Sequence, residues 1–183
     1  MMATSFIIRD ALATDIPNCL NLDRTYETNY VWQMTVSEAG GGYGVAFRKE
    51  RLPRTMEVEY PASKGRMQLA LSRRDCFLVA VAKDEPATLG YLVMHHDPAH
   101  QIALVHEVVV DREHRRGKIG TRLLNVACRW ADERDITQLM IETQTKNYPS
   151  IAFFEGYGLS FCGYNDQYFR NQDIAIFFGQ SLR

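Results

Sequence analysis

The sequence predicts a single α/β domain in which a mixed, mostly antiparallel sheet is flanked by helices. Three observations carry this prediction. Strand-like apolar runs follow one another through turns between residues 76 and 110, which is typical of an antiparallel meander. Two helical segments then alternate with further strands between residues 120 and 180. A chain of 183 residues that is 46% hydrophobic also has the size and apolar content of one well-filled core.

The first 61 residues predict a strand, a helix and a long hairpin. Residues 6–8 form a short β-branched run, and residues 13–22 carry apolar side chains at helical spacing, with Thr14 as the N-cap. Residues 30–36 have strand composition, the glycines within 40–44 form a turn, and residues 45–60 return as the second arm. Pro53 argues against a central position in a sheet.

The remaining elements follow from clearer patterns. Pro149 suits the first turn of the last helix, and Gly158 stands just past its end. The predicted strands are 76–82, 89–95, 102–110, 138–142, 160–164 and 174–180, and the predicted helices are 120–133 and 148–157.

Charge and cysteine content restrict the partner and the compartment. The chain has 21 basic and 22 acidic residues, whereas a general nucleic-acid binder carries a basic excess. No apolar run approaches the length of a membrane span, and the N-terminus lacks a signal-peptide pattern. We therefore expect a cytoplasmic protein that binds neither nucleic acid nor membrane. The cysteines are widely spaced in apolar contexts, which favours free, buried thiols (Cys19, Cys76, Cys128 and Cys162).

Residues 108–124 contain the most informative pattern. A strand ends at Val110, a basic loop with Gly117 follows, and an amphipathic helix begins near Gly120. A helix N-terminus presents unpaired N–H groups and the positive end of its dipole, so it favours a phosphate-like anion, and glycines allow close approach to the backbone. The segment predicts a pyrophosphate site. Three loop cations add charge for phosphates: Arg115, Arg116 and Lys118.

Two common nucleotide-binding motifs fit this segment poorly. The spacing of a P-loop, G-x-x-x-x-G-K-[ST], is absent. A dinucleotide-binding fingerprint needs three glycines in a parallel βαβ unit, but only Gly117 and Gly120 are present and the preceding strands predict a meander.

The same residues resemble motif A of the GNAT N-acetyltransferases, in which R/Q-x-x-G-x-G/A follows a strand that ends in valine. Arg115 matches the first position and Gly120 the last, whereas Lys118 stands at the usual middle glycine and Gly117 one place earlier. Residues 147–159, NYPSIAFFEGYGL, resemble the second block of the family, and the run ETQT at 142–145 resembles its streptothricin acetyltransferase branch. The resemblance covers about residues 76–180 and is weak over the first 60.

This resemblance implies an acetyl-CoA site between two strands that splay apart, one ending at Val110 and one near 139–142. It implies one GNAT domain over residues 1–183, with about 1–75 supplying substrate-side elements and about 76–183 the acetyl-CoA-binding core. A glutamate at the position of Glu107 is the general base in such enzymes, usually through water. Phe154 replaces the tyrosine that usually protonates the CoA thiolate, and it has no proton to give. The residues expected to bind acetyl-CoA are Val108, Val110, Arg115, Arg116, Gly117, Lys118, Ile119, Gly120, Thr121, Asn147 and Phe154.

The predicted activity is N-acetylation of a primary amine on a small molecule, such as an antibiotic, a polyamine or an amino acid. The alternatives are a catalytically silent acyl-CoA-binding sensor and an enzyme that acetylates a protein or peptide amine. The hairpin is rich in aromatic and acidic side chains that suit a cationic amine, although a packed hairpin with a charged outer face explains them equally well. The residues expected near the acceptor are Tyr26, Tyr30, Trp32 and Glu142.

Two further expectations concern metal and oligomeric state. The histidines at 95, 96 and 100 lack the spacing of a known zinc site, so we expect no metal. The exposed final strands are compatible with a homodimer.

Overall fold

The computed structural model describes residues 5–183, which contain a seven-stranded sheet and a separate two-stranded hairpin. The large sheet has the order β1-β4-β5-β6-β7-β9-β8, and only β6 and β7 are parallel. This arrangement confirms the predicted fold class. The strands are β1 (Phe6–Asp10), β2 (Thr25–Ala39), β3 (Gly42–Glu59), β4 (Cys76–Ala82), β5 (Thr88–Asp97), β6 (Ile102–Val110), β7 (Gln138–Gln144), β8 (Ser160–Asn165) and β9 (Ala175–Ser181).

Helices cover both faces of the large sheet. One face packs on α3 (Ile119–Asp132) and α4 (Tyr148–Tyr157), and the other packs on α1 (Ile16–Leu20) and α2 (Lys64–Arg73). Gly158 ends α4 in a left-handed conformation, as predicted. None of the helices within residues 5–183 is both long and apolar enough to cross a bilayer.

The start of the first helical segment differs from the prediction. A 3₁₀ turn at Ala13–Asp15 precedes α1, and Leu12 rather than Thr14 is the residue at its N-cap. The Asp15 carboxylate accepts a hydrogen bond from the Leu12 N–H at 2.7 Å and pairs with Arg9 at 2.7 Å. Asp15 therefore provides the capping oxygen from within the turn, so that Thr14 is not needed there.

The cysteines only partly match their prediction. All four are free thiols, and Cys19 and Cys76 are buried, but Cys128 is half-buried and Cys162 is exposed on the edge strand β8. Burial raises the pKa of the Cys19 and Cys76 thiols to about 12, which leaves them protonated and unreactive at neutral pH.

A bulge in β6 alters the predicted alternation of side chains. Strict alternation would place Val105, Glu107 and Val109 on one face. In the structure Val105 pairs with Met94 and Glu107 pairs with Val93, so His106 is an extra residue without a partner on β5. Val105 consequently packs in the core under α3 and α4, whereas Val109 packs in the core under α1 and α2.

The two central strands diverge after a short parallel pairing. The register of β6 and β7 runs from Ile102 opposite Gln138 to Val105 opposite Ile141, and no pairing of these strands follows it in the described residues. The remaining part of β6, through Val110, therefore lies beside a gap. This is the splay that the sequence resemblance implies.

The hairpin of β2 and β3 lies across the end of this gap. It is attached by a hydrogen bond from the Trp32 N–H to the Thr145 carbonyl at 2.9 Å. Its register shifts between Thr28 and Tyr30, opposite a stretch of β3 that contains Pro53. Proline is thus accommodated at an irregular position of a two-stranded sheet, as its missing N–H requires.

Candidate functional site

A single cavity of about 560 Å³ occupies the gap between β6 and β7. One end is lined by the loop before α3 and by the starts of α3 and α4, and the other end by side chains of the hairpin, β6 and β7. We call these the α3 end and the Glu142 end. The cavity therefore connects a helix N-terminus on one face of the sheet with a group of polar side chains on the other.

The α3 end is a group of free backbone N–H groups with cations beside it. Lys118 is the N-cap residue of α3, and it makes no side-chain capping bond. The amides of the first turn thus have no side-chain capping acceptor among residues 5–183. Arg116 and Lys118 line the cavity and have left-handed backbone conformations, with φ of 69° and 62°. Lys118 thus adopts the conformation that glycine prefers at the very position where the GNAT motif has glycine.

Arg115 is placed differently from its neighbours. Its guanidinium donates to the carbonyls of Val110 at 3.0 Å, Thr25 at 2.7 Å and Asp23 at 3.2 Å. Burial lowers the pKa of this half-buried arginine, although it lines the cavity. Arg115 joins the loop to the start of β2, and its donors are directed at backbone carbonyls rather than at an open anion site.

Both motif glycines lie close to neighbouring protein atoms. A Cβ atom on Gly120 would lie 3.1 Å from the Phe153 ring, so the missing side chain allows α3 and α4 to approach each other. A Cβ atom on Gly117 would lie 3.3 Å from the His114 carbonyl oxygen, and Gly117 is not among the residues that line the cavity. Gly120 lines the cavity together with Ile119 and Thr121.

The middle of the cavity is formed by strand edge and by the start of α4. Asp111 donates its N–H to Leu89 on β5, so by alternation the backbone groups of Val108 and Val110 point towards the gap. The Val110 carbonyl already accepts the bond from Arg115. Asn147 caps α4 by accepting from the Ser150 N–H at 3.2 Å, and its position also lines the cavity.

Phe154 lies at the same level of the cavity and is only 4% exposed. Its ring packs against that of Phe178 at 5.9 Å. The position therefore continues the apolar core, and it offers no donor to a leaving group.

Glu107 is buried behind the Glu142 end. Its side chain is fully enclosed, and Glu107 is not among the residues that line the cavity. Oε2 accepts a hydrogen bond from the Tyr91 hydroxyl at 2.7 Å, and Oε1 lies 3.8 Å from the Arg66 guanidinium without a hydrogen bond. Burial raises the pKa of this carboxyl, while the bond from Tyr91 and the charge of Arg66 oppose the rise.

Glu142 lines the cavity and is the centre of a second set of contacts. Its Oε2 accepts from the Tyr168 hydroxyl and lies 2.8 Å from His106 Nδ1, while Oε1 lies 3.2 Å from Arg66 Nη2. Arg66 thus lies between two buried carboxylates. Burial and the bond to Glu142 raise the pKa of Tyr168, so its hydroxyl stays protonated.

Aromatic side chains close the hairpin side of the cavity. Tyr26 is 5% exposed, and its hydroxyl has no hydrogen-bond partner in the described part of the chain. The Tyr30 and Tyr148 rings lie 5.5 Å apart, and the Lys49 ammonium lies 4.3 Å and 4.4 Å from their centroids. The Tyr30 and Tyr148 rings therefore already bind one cation, the ammonium group of Lys49.

Trp32 does not take part in the site. Its ring packs against Phe47, Phe161 and Phe178 at 5.7 to 6.0 Å, and it is not among the residues that line the cavity. Strand alternation and the attachment of the hairpin to the sheet direct the Trp32 side chain into this aromatic cluster, and the expected contact between Trp32 and an acceptor stays a prediction.

Three polar residues of the Glu142 end are missed by the sequence prediction. Arg66 lies on α2, a helix whose polar first turn and two buried residues, Met67 and Ala70, give little hydrophobic pattern. His106 is the bulge residue of β6, and Tyr168 lies in the connection between β8 and β9. In the sequence, only Glu107 and Glu142 indicate this part of the site, because each is a carboxylate within an apolar strand.

The histidine-rich segment lies beside this region without forming a metal centre. His95 is in β5, with Nδ1 3.5 Å from Asp75 and its ring 4.7 Å from that of His106. Across residues 5–183, no three side chains of His, Cys, Asp or Glu are grouped so as to hold a metal ion.

A comparison with known proteins places this architecture in a family. The sequence profile of the acetyltransferase (GNAT) family matches residues 43–159, which is more than half of the chain. The chain therefore belongs to the GNAT family of acetyltransferases. Within the match lie the loop before α3, the whole of α3 and α4, and both glutamates of the Glu142 end.

Individual relatives are similar over different lengths. Streptothricin acetyltransferase A of Bacillus subtilis (strain 168) is 36% identical over 52 residues, which cover 28% of this chain and 30% of that protein. The crystal structure of nourseothricin acetyltransferase superposes with a TM-score of 0.83 at 20% identity over 98% of this chain and all of that chain. A Bacillus anthracis str. Ames protein, solved with acetyl coenzyme A, superposes with a TM-score of 0.77 at 20% identity over 97% of this chain and 99% of that chain.

Proposed function

We propose that this chain transfers an acetyl group from acetyl-CoA to a primary amine of a small molecule. The observation that carries the proposal is the single cavity through the splay, which joins a cationic helix N-terminus at one end to a buried acidic group at the other. The first end suits a pyrophosphate, and the second suits an ammonium group. A transfer reaction needs both substrates in one continuous space.

The α3 end fits the phosphates of acetyl-CoA. The free amides of residues 119–121 and the side chains of Arg116 and Lys118 supply the donors, while Arg115 holds the loop in place. The Val108 backbone faces the gap, where it can bond the amides of the pantetheine arm. When bound, acetyl-CoA supplies an acetyl group that is already activated as a thioester.

The Glu142 end fits a small cationic acceptor. Two buried carboxylates, Glu142 and Glu107 behind it, face the single positive charge of Arg66, and the negative excess that remains favours an ammonium group. Tyr26, Tyr30 and Tyr60 of the hairpin region cover it. A covered pocket favours a compact amine over an extended peptide. The names of two relatives refer to the antibiotics streptothricin and nourseothricin, so an antibiotic amine is the first candidate.

Glu107 is the general base that the sequence resemblance implies. Because Glu107 does not line the cavity, a proton from the substrate would have to reach it through an intervening group. Phe154 has no proton to donate. The CoA thiolate therefore leaves without a general acid at the α4 position where the family usually has a tyrosine.

The proposal is tested by measuring thiol release from acetyl-CoA with a panel of amines. The panel contains streptothricin, polyamines, amino acids and a peptide with a free N-terminus, each paired with its N-acetylated form as a control. We expect thiol release with at least one free small amine and none with its blocked form. No binding of acetyl-CoA by calorimetry would overturn the assignment of the α3 end.

The acyl-CoA sensor is the second candidate, and Phe154 is the observation that favours it. A sensor would bind acetyl-CoA tightly and release no thiol with any amine. Tight binding without thiol release in the same experiment would show that the chain is an acetyl-CoA-binding protein and not an enzyme.

A further inference from the structure

The Glu142 end contains a histidine that neither the motif nor the family resemblance identifies. The β6 bulge gives the strand one extra residue, His106, and a bulge redirects side chains locally. His106 is among the residues that line the cavity and its side chain is 16% exposed, whereas its neighbour Glu107 does not line the cavity and its side chain is fully enclosed. His106 is therefore the titratable group of β6 that a substrate in the cavity can reach.

The contact between His106 and Glu142 fixes the position of the proton on the imidazole ring. Nδ1 lies 2.8 Å from Glu142 Oε2, which also accepts from Tyr168, and the same carboxylate faces Arg66. An ionised carboxylate can only accept hydrogen bonds, so Nδ1 carries the hydrogen. Nε2 of the neutral ring is then the unprotonated nitrogen, as in the carboxylate–histidine pairs of general bases.

We infer that His106, oriented by Glu142, accepts the proton of the substrate ammonium group at the surface of the cavity. This inference rests on the proposed function and changes the assignment of its base. The ammonium group loses a proton to His106 Nε2, and the neutral amine attacks the thioester carbonyl carbon. A C–N bond forms as the C–S bond breaks, and the electron pair leaves with sulfur. The second amine proton neutralises the thiolate, and the first returns from His106 to solvent.

The groups around His106 suit this role. Glu142 on β7 stabilises the imidazolium, and Tyr168 holds Glu142. The Tyr60 hydroxyl donates to the His106 carbonyl at 3.3 Å, which fixes the bulge. His95 on β5 stacks edge-on, and burial lowers its pKa, so it adds no opposing charge at neutral pH.

Two further charges face the same region. They are the guanidinium of Arg66 on α2, which lies 3.2 Å from Glu142, and the carboxylate of Glu107 on β6, which lies 3.8 Å from Arg66. Glu107 is thus an electrostatic partner behind the ring rather than the group that meets the substrate.

A second histidine–carboxylate pair in the chain provides a matched control. His100 Nδ1 lies 2.8 Å from Asp97 Oδ2, the same distance as in the His106–Glu142 pair. The His100 pair is exposed, with 72% of the histidine and 50% of the aspartate side chain accessible. The His106 pair is 16% and 0% exposed. Location in the cavity, and not local geometry, separates the two pairs.

The kinetic test measures kcat/KM against pH for the wild-type protein, His106→Asn, Glu107→Gln and His100→Asn, with acetyl-CoA and the best amine of the panel. The asparagine amide can still donate to Glu142 but cannot accept a proton. We expect His106→Asn to lower kcat/KM by about 10²–10³-fold and to abolish the acid limb of the profile. Glu107→Gln should keep that limb, and His100→Asn should match the wild type. In one further variant, His106→Ala, added imidazole should partly restore kcat/KM.

A second readout uses the free protein without any substrate. Long-range ¹H–¹⁵N spectra of the histidine rings report which nitrogen carries hydrogen. We expect the Nδ1–H form for neutral His106, and loss of that preference in Glu142→Gln. An unaltered acetyl-CoA affinity in His106→Asn will show that the variant is folded.

Three results would overturn the inference while leaving the proposed function intact. They are an Nε2–H form of His106, full activity of His106→Asn, and loss of the acid limb only in Glu107→Gln. Absence of thiol release with every amine would instead overturn the proposed function, and this inference with it.

Discussion

The α3 end of the cavity comes mainly from one stretch of chain, residues 108–121, whereas the Glu142 end depends on side chains packed behind it that come from α2, β5, β6 and the connection after β8. The first end uses backbone amides and exposed cations. The second uses buried charged side chains that pair with one another, so that a change in one affects the others. The difference implies that substitutions at the α3 end should weaken binding in small, separable steps, while substitutions at the Glu142 end should have large and coupled effects.

The largest effect is expected from Glu142→Gln. The change removes the charge that orients His106 and is paired with Arg66, at nearly constant volume. We expect kcat/KM to fall by about 10²–10⁴-fold while the dissociation constant of acetyl-CoA stays the same. The control is Glu133→Gln, an exposed carboxylate near the end of α3. A comparable loss of acetyl-CoA affinity would show that the two ends are not separate.

Arg66→Met should produce the next largest effect, which is a loss of folding stability. It leaves Glu107 and Glu142 buried without their shared cation. Breaking a buried ion pair costs about 3–5 kcal/mol, and because the Arg66 side chain is 32% exposed we expect about 2 kcal/mol of unfolding free energy to be lost. Urea denaturation of the variant measures this loss, with Lys64→Met, at an exposed position of the same helix, as the control.

The pH dependence of that loss has a definite sign. Burial raises the folded-state pKa of Glu107 above its unfolded value, and removing Arg66 raises it further. A carboxyl of this kind destabilises the fold above its folded pKa and ceases to do so below its unfolded pKa. The destabilisation by Arg66→Met should therefore be greatest near pH 8 and shrink towards pH 4. A loss that is independent of pH would show that Arg66 acts by packing alone.

The two ends also differ in how far the sequence predicts them. The strand to Val110, the basic loop and the helix after it are contiguous, so their pattern predicts a phosphate site before any folding is known. His106, Arg66 and Tyr168 become neighbours only through the bulge, the packing of α2 and the path of the chain after β8. No spacing in the sequence encodes that arrangement. Trp32 shows the converse, since the aromatic composition of the hairpin suggests an acceptor contact while the Trp32 side chain packs in an aromatic cluster against the core.

The cations of the α3 end should show a smaller and additive effect. Arg116→Ala and Lys118→Ala each remove one proposed charge-assisted contact to phosphate, and we expect each to raise the dissociation constant of acetyl-CoA by about tenfold. The effect should diminish at high salt, because these side chains meet solvent. Calorimetry measures it, with Arg129→Ala in the last turn of α3 as the control. A change in kcat without a change in affinity would contradict the assignment.

The smallest expected effect concerns the backbone of Lys118, whose left-handed φ of 62° is unfavourable for a residue with a Cβ atom. Lys118→Gly and Lys118→Ala remove the same charge, so their difference in unfolding free energy isolates the backbone. A left-handed conformation costs a non-glycine residue about 1–2 kcal/mol, and glycine loses part of this advantage through its more flexible unfolded state. We therefore expect Lys118→Gly to be more stable than Lys118→Ala by about 1 kcal/mol in urea denaturation.

The matched pair Arg122→Gly and Arg122→Ala, inside α3, should show the opposite sign, because there glycine is the poorer helix former. Equal stability of the two Lys118 variants would mean that the loop relaxes at no cost, and that the glycine of the GNAT motif is replaced here without strain.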